Sequence, residues 1–321
     1  MQYWTMGENI SSTPSKHILF LIIILSSVFL CNKAIQSVKA EQRMQEGSDK
    51  KVSSDLNQMM SDTTNPDEIE IPLEPPKMEI KLRSPEERKF KRVVSNRAFG
   101  VGERLEFSVG YGVIKAGTAV MEIPEMVKLN GRKCYHIVST AKSNKFFSVF
   151  FKVDDKVESF MDVHGLYSLR YDKHLREGKF RADISMIFDQ KNHLAIYNSG
   201  KDTFDVAEYA QDVLSAFYFV RTQELTVGKS IFVENHTDKK NYSLEVRVLR
   251  KERRKVEAGE FDCVVVEPIL KTPGIFEHKG SLTVWLTDDE VKMPILMKSK
   301  VIIGSISTEL ISYKLGEVGK Y

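Results

Sequence analysis

The sequence has little of what marks a reaction centre and almost no excess of charge. Three cysteines are spread over 321 residues, and no two have the short spacing of a zinc finger. The seven histidines contain no i, i+4 pair that would set two imidazoles on one helix face. Ser215 sits in an apolar run between Leu214 and Ala216, without the flanking glycines of a nucleophile elbow. No triad, metal set or cofactor motif emerges, so a non-enzymatic protein without a cofactor is expected. The formal net charge is +3, too small a basic footprint for nucleic acid.

Long apolar runs are scarce too. The one that stands out, Ile18 to Cys31, has 14 residues, against the roughly 20 that a membrane-spanning helix needs. That length suits the core of a signal peptide, and Val38-Lys39-Ala40 offers small residues at the −3 and −1 positions of a cleavage site. Residues 1–40 are therefore expected to direct export to the periplasm or cell envelope. Two variants stay open: an uncleaved run that anchors the chain to a membrane through residues 18–31, and lipidation at Cys31. Removing residues 1–40 leaves 44 basic and 43 acidic side chains. Cys134 and Cys263 then remain, and an exported pair is free either to form a disulfide or to stay as two buried thiols.

Residues 41–97 read as a disordered linker. They are rich in Asp, Glu, Lys, Ser, Met and Pro, and bury too little apolar surface to offset the entropy of ordering. From residue 98 to 321 the texture changes to alternation. Leu105, Phe107, Val109, Tyr111 and Val113 share one face, with Glu106, Ser108, Gly110 and Gly112 on the other. The two-residue period recurs at Ala119/Met121/Ile123, Ala182/Ile184/Met186/Phe188, Leu244/Val246/Val248 and Leu282/Val284/Leu286. Asn130-Gly131, His164-Gly165, Glu177-Gly178, Gln190-Lys191-Asn192, Ala258-Gly259 and Pro273-Gly274 separate the runs as turns. About a dozen strands joined this way form an antiparallel meander, and a sheet that long curls or closes. The expected fold is all-β, mainly antiparallel: a barrel or strongly curved half-barrel with one packed α-helix. That helix is expected over Asp205 to Arg221, with Asp205 as its N-cap and an apolar second half that must be buried.

Three stretches carry a resemblance. Val101-Gly102-Glu103-Arg104-Leu105 with Tyr111-Gly112 and Gly117 opens it, and Asp212 to Arg221 (DVLSAFYFVR) follows. Trp285-Leu286-Thr287-Asp288-Asp289 with Pro294, Gly304-Ser305 and Glu309-Leu310 closes it. Over about residues 99–313 the chain resembles the bacterial exported family known as domain of unknown function 3108. The resemblance implies an envelope β domain similar to the half-barrels that carry lipids or lipoproteins, and it implies no catalytic residue.

The candidate site residues follow from chemistry. Asp288 and Asp289 form a carboxylate pair, but they fall where a hairpin turns, with Pro294 and Gly304 as further turn and structural positions. Lys292 is expected to neutralise that turn. Arg221 at the helix end is expected to complement the helix dipole, to pair with a buried carboxylate such as Glu309, or to bind a ligand headgroup. Phe146, Phe147, Phe150 and Phe151 cannot all face one core from a single strand, so they read as two-sided burial or as a lip for acyl chains or a membrane. With Trp285 they complete the ligand-binding candidates. The basic cluster Arg250–Lys255 reads as a solvated hairpin tip or a contact for anionic lipid.

The leading expectation is non-catalytic carriage of a lipid or other apolar envelope ligand in the curved sheet, with the helix as lid. An envelope protein with a filled interior that binds a partner stands second, and an enzyme acting on envelope glycan or lipid third. Membrane contact through the N-terminus is the other partner expected, and the sequence does not set an oligomeric state.

Overall fold

A computed structural model describes residues 92–112, 114–271, 282–300 and 305–319. The export run, the cleavage site, Cys31, most of the linker and Gly304 lie outside the described residues, as does the turn at Pro273-Gly274.

The first strands bear out the alternation. β1 (Arg104–Tyr111) buries Leu105, Phe107 and Val109, and β2 (Ile114–Leu129) buries Ala119, Met121 and Ile123. β3 (Arg132–Ser143) is followed by a short helix, α1 (Lys145–Phe150), and then by β4 (Asp154–Asp162). β5 (Ser168–Glu177), β6 (Phe180–Asp189), β7 (Leu194–Tyr197) and β8 (Asp202–Asp205) complete the first half. A second helix, α2 (Val213–Arg221), leads into β9 (Ser230–Thr237), β10 (Lys240–Val256) and β11 (Gly259–Lys271). β12 (Leu282–Thr287), β13 (Pro294–Lys300) and β14 (Ser305–Lys314) end it.

Among the described residues 14 strands form one antiparallel sheet, in which β1 pairs with both β2 and β14 and every other pairing joins sequence neighbours. The first and last strands therefore meet in the middle of the sheet, while β8 and β9 are its two edges. The ladder does not close into a barrel. Instead, the chain between the edges stitches them. Gln211 donates its N–H to Glu234 O at 2.9 Å and accepts from His236 N at 2.8 Å, and Asn241 Nδ2 reaches Asp205 O at 2.8 Å.

The turns follow their residues. Asn130 and Gly131, both at positive φ, make the tight β2–β3 hairpin that an Asn-Gly pair encodes. The long β10–β11 hairpin carries a bulge between Val248 and Arg250, beyond which it folds across β12–β14. There Ala258 N–H bonds Leu310 O at 3.1 Å and Glu257 N–H bonds the Glu309 carboxylate at 3.0 Å. This explains why Trp285 and Leu296 are buried although they alternate with core-facing neighbours.

One expectation needs correction, and one alternative left open is decided. The helix begins at Val213 and not near Asp205, because Asp212 is the residue whose carboxylate caps it; Asp205 ends β8. Cys134 and Cys263 are both free. They are held apart on β3 and β11, each buried, and each thiol turns back on its own strand, toward Arg132 O and Phe261 O.

Candidate functional site

α2 lies in the connection between the two edge strands and packs against β9 and β4, so what holds it decides whether it can act as a lid. Its first turn is capped by Asp212, whose Oδ1 accepts from Leu214 N and Ser215 N at 2.8 Å each. The other oxygen, Oδ2, accepts from the hydroxyls of Ser159 on β4 and Ser168 on β5. Asp212 is fully buried, and burial pushes its pKa upward against these four donors.

The far end is held more tightly. Arg221 is wholly buried and makes a bidentate pair with Glu103, Nη1 to Oε1 at 2.8 Å and Nη2 to Oε2 at 2.7 Å. Nη2 also donates to Ala98 O at 3.1 Å and Nε to Val291 O at 3.3 Å. The guanidinium stands 4.9 Å from the Tyr218 ring centroid and 5.4 Å from that of Phe99. Its carboxylate partner is thus Glu103, where the sequence suggested Glu309; Glu309 instead receives Glu257 N. Four of Arg221's five N–H donors are occupied by the protein, which leaves the side chain no role as a headgroup receptor.

Val291 O connects this lock to the acidic turn. Asp289 Oδ1 accepts from Thr287 Oγ1 at 2.7 Å, Lys292 N at 2.9 Å and Val291 N at 3.0 Å, which folds residues 288–292 into a tight β12–β13 connection. Asp288 pairs with Lys251 at 2.7 Å, so the neutralising lysine is Lys251 and not Lys292, which takes a positive φ in the turn. Pro294 opens β13 directly after it.

Between α2 and the concave face lies a cavity of about 70 Å³. Met121 on β2, Leu214 and Phe217 on α2, Val246 on β10, Val284 on β12 and Met297 on β13 line it, and Ser139 brings a hydroxyl. That room admits a few waters or a small apolar group. A lipid-sized ligand needs a pocket of about 300 Å³ or more. Trp285, expected to line the site, points to the other face, where its Nε1–H donates to Glu252 and Arg254 lies 5.6 Å from its ring centroid. The neighbouring basic residues are engaged as well: Arg250 with Glu252 at 2.7 Å and Arg253 with Glu260 at 3.3 Å.

The phenylalanine patch is a helix, not a strand. Asn144 caps α1 through Phe147 N at 2.9 Å. Phe147 packs on the core and Phe151 lies against Gly178, whereas Phe146, Val149 and Phe150 are exposed.

Sequence reasoning missed the polar residues that face inward on β4 and β5. Lys173, nearly fully buried, pairs with Asp238 of the β9–β10 turn at 3.0 Å, and burial lowers its pKa. Asp155 accepts from Arg176 N at 2.7 Å and hydrogen-bonds Glu177, and burial raises its pKa. Both sit at alternating, inward positions, which was the available signal. Among the described residues, no group of three or more His, Cys, Asp or Glu stands together as potential metal ligands.

A model of the family described as "Protein of unknown function (DUF3108)" matches residues 106–311. No curated protein matches the sequence. Among solved structures, the chain is similar to a beta-barrel-like protein of domain of unknown function DUF1849 from Brucella abortus. That match has TM-score 0.48 and 9% identity, over 69% of this chain and 100% of that one. A Parabacteroides distasonis protein described as a lipoprotein matches at TM-score 0.33 and 10% identity, over 70% and 100% of the two chains. A Bacteroides fragilis protein described as exported, with a YmcC-like fold, matches at TM-score 0.32 and 11% identity, over 70% and 99%.

Proposed function

We propose that this chain, which belongs to the DUF3108 family of proteins of unknown function, is a non-catalytic binding protein of the bacterial envelope that works through its outer surface. The envelope location rests on the export run Ile18–Cys31. The observation that carries the rest is the clamping of α2. A helix fixed at one end by Asp212 with Ser159 and Ser168, and at the other by Arg221 with Glu103, is a strut across the sheet. To open it would strand two buried charges, each worth several kcal/mol of desolvation. The cavity of about 70 Å³ behind it is smaller than lipid carriage requires.

This ranks the filled interior above carriage of a lipid, the order opposite to the one that the sequence favoured. The apolar lining still fits a small apolar guest, and that is the form in which the carrier reading survives. A titration of the protein with a fluorescent fatty acid separates the two. The filled interior predicts no saturable signal. Stoichiometric, saturable binding that phospholipid displaces would restore the carrier.

A further inference from the structure

The rim of the sheet that bears α1 gathers exposed apolar side chains. Asn144 N–H bonds Ala116 O at 2.9 Å and its side chain donates to Lys115 O at 2.7 Å, which fixes α1 beside the start of β2. On the other side Gly178 N–H bonds Lys152 O at 2.7 Å, which fixes α1 beside the β5–β6 turn. The chain segments that bear Ile114, α1 and Phe180 are thereby neighbours. Their exposures are high: Phe146 66%, Val149 80%, Phe150 62%, and Ile114 and Phe180 50% each.

Exposed residues of this size in one place are unusual on a soluble surface and mark an interaction site. The charges around them indicate with what. Lys145, Lys152, Lys179 and Arg181 are exposed on the same segments. Among the described residues none of these four has an ion-pair partner, in contrast to Lys115 with Glu257 and Lys142 with Asp154 close by. Arg181 instead donates to Gly178 O and Phe180 O, which holds its charge at the turn. Aromatic and aliphatic tips ringed by uncompensated cations match a bilayer interface: rings enter the headgroup–acyl boundary while lysines reach anionic headgroups.

We infer that the α1 rim docks onto an anionic phospholipid surface, with Phe146, Val149, Phe150 and Phe180 inserting and Lys145, Lys152, Lys179 and Arg181 supplying the electrostatic attraction. The inference rests on the reading of a working outer surface, and it names the partner. Among the described residues no helix is long and apolar enough to cross a membrane, and the rim needs none, because docking of this kind lies in the interface plane.

The test uses the full chain with Cys31→Ser, so that the N-terminal run contributes equally to every sample. An environment-sensitive dye is attached at F150C, or at K128C, which lies near the opposite end of β2. The buried Cys134 and Cys263 stay unlabelled. With vesicles of phosphatidylcholine and phosphatidylglycerol, the dye at position 150 shifts to the blue and the dye at 128 does not. Reversing Lys145, Lys152 and Lys179 to Glu lowers the shifted fraction at least about tenfold. A dye at 150 that keeps its aqueous emission, shifts equally on phosphatidylcholine alone, or shifts together with position 128 overturns the inference. So does a shift without vesicles that grows with protein concentration, which would identify a second copy as the occupant. A lipid found inside the sheet would sink the filled-interior reading through a different readout and leave this result unchanged.

Discussion

Arg221 and Glu103 stand 118 positions apart in sequence and meet as a bidentate pair in the core, Nη2 to Oε2 at 2.7 Å. Each is worthless buried without the other. The pair ties the end of α2 to the segment that enters β1, and through Val291 O to the β12–β13 turn.

The first prediction follows from that asymmetry. Arg221→Met or Glu103→Leu alone leaves a buried charge uncompensated and should cost about 3–5 kcal/mol. In a domain of this size that lowers Tm by roughly 10 °C. The double variant, apolar at both positions, should recover most of the loss. Thermal denaturation of the three variants checks this, and equal losses in the singles and the double would contradict it.

The pair Asp155 and Glu177 predicts a pH dependence. Burial holds the Asp155 carboxyl above its usual range, so the native state binds that proton more tightly than the unfolded chain. Its stabilising contribution is therefore full below the ordinary aspartate value of about 4 and is lost as pH rises through the raised native value. Urea unfolding from pH 7 down to about 4 should show wild type gaining on Asp155→Asn as pH falls. A constant difference across that interval contradicts it.

Cys134 and Cys263 are free, buried and deactivated, with burial pushing each thiol up to about 11. A disulfide reagent should find neither in the folded domain and both after denaturation. A reductant should leave Tm unchanged. A drop in Tm on reduction would mean that the two sulfurs are bonded after all.

Ser139 brings a hydroxyl to the apolar cavity beneath α2. If that cavity is a packing void, Ser139→Val should fill part of it and stabilise the protein by about 1 kcal/mol. Chemical denaturation measures the difference, and a variant less stable than wild type contradicts the void.

The strands were legible because alternation is local: Leu105, Phe107 and Val109, or Ala119, Met121 and Ile123, show their buried face within five residues. The expectation that Trp285 lines the site went against this same alternation, since it falls between Val284 and Leu286 and must point away from them. α1 was not, because KFFSVFFK is apolar at either period; its one helical signal was the cap at Asn144, three residues before Phe147. The cap expected at Asp205 falls at Asp212, which directly precedes the apolar run that becomes α2. The choice of Glu103 over Glu309 for Arg221 could not be read from the chain, because it depends on β1 and β14 meeting at the centre of the sheet. The small size of the cavity was hidden for a similar reason: it depends on how six strands and α2 pack together, which no single strand encodes.

In this reading the space beneath α2 is filled and α2 is a fixed strut. Native mass spectrometry of the protein purified from its own envelope under gentle conditions tests it most directly. The expected result is the mass of the polypeptide without a stoichiometric lipid. A lipid retained one to one, and lost only when the Arg221–Glu103 pair is broken, would contradict it.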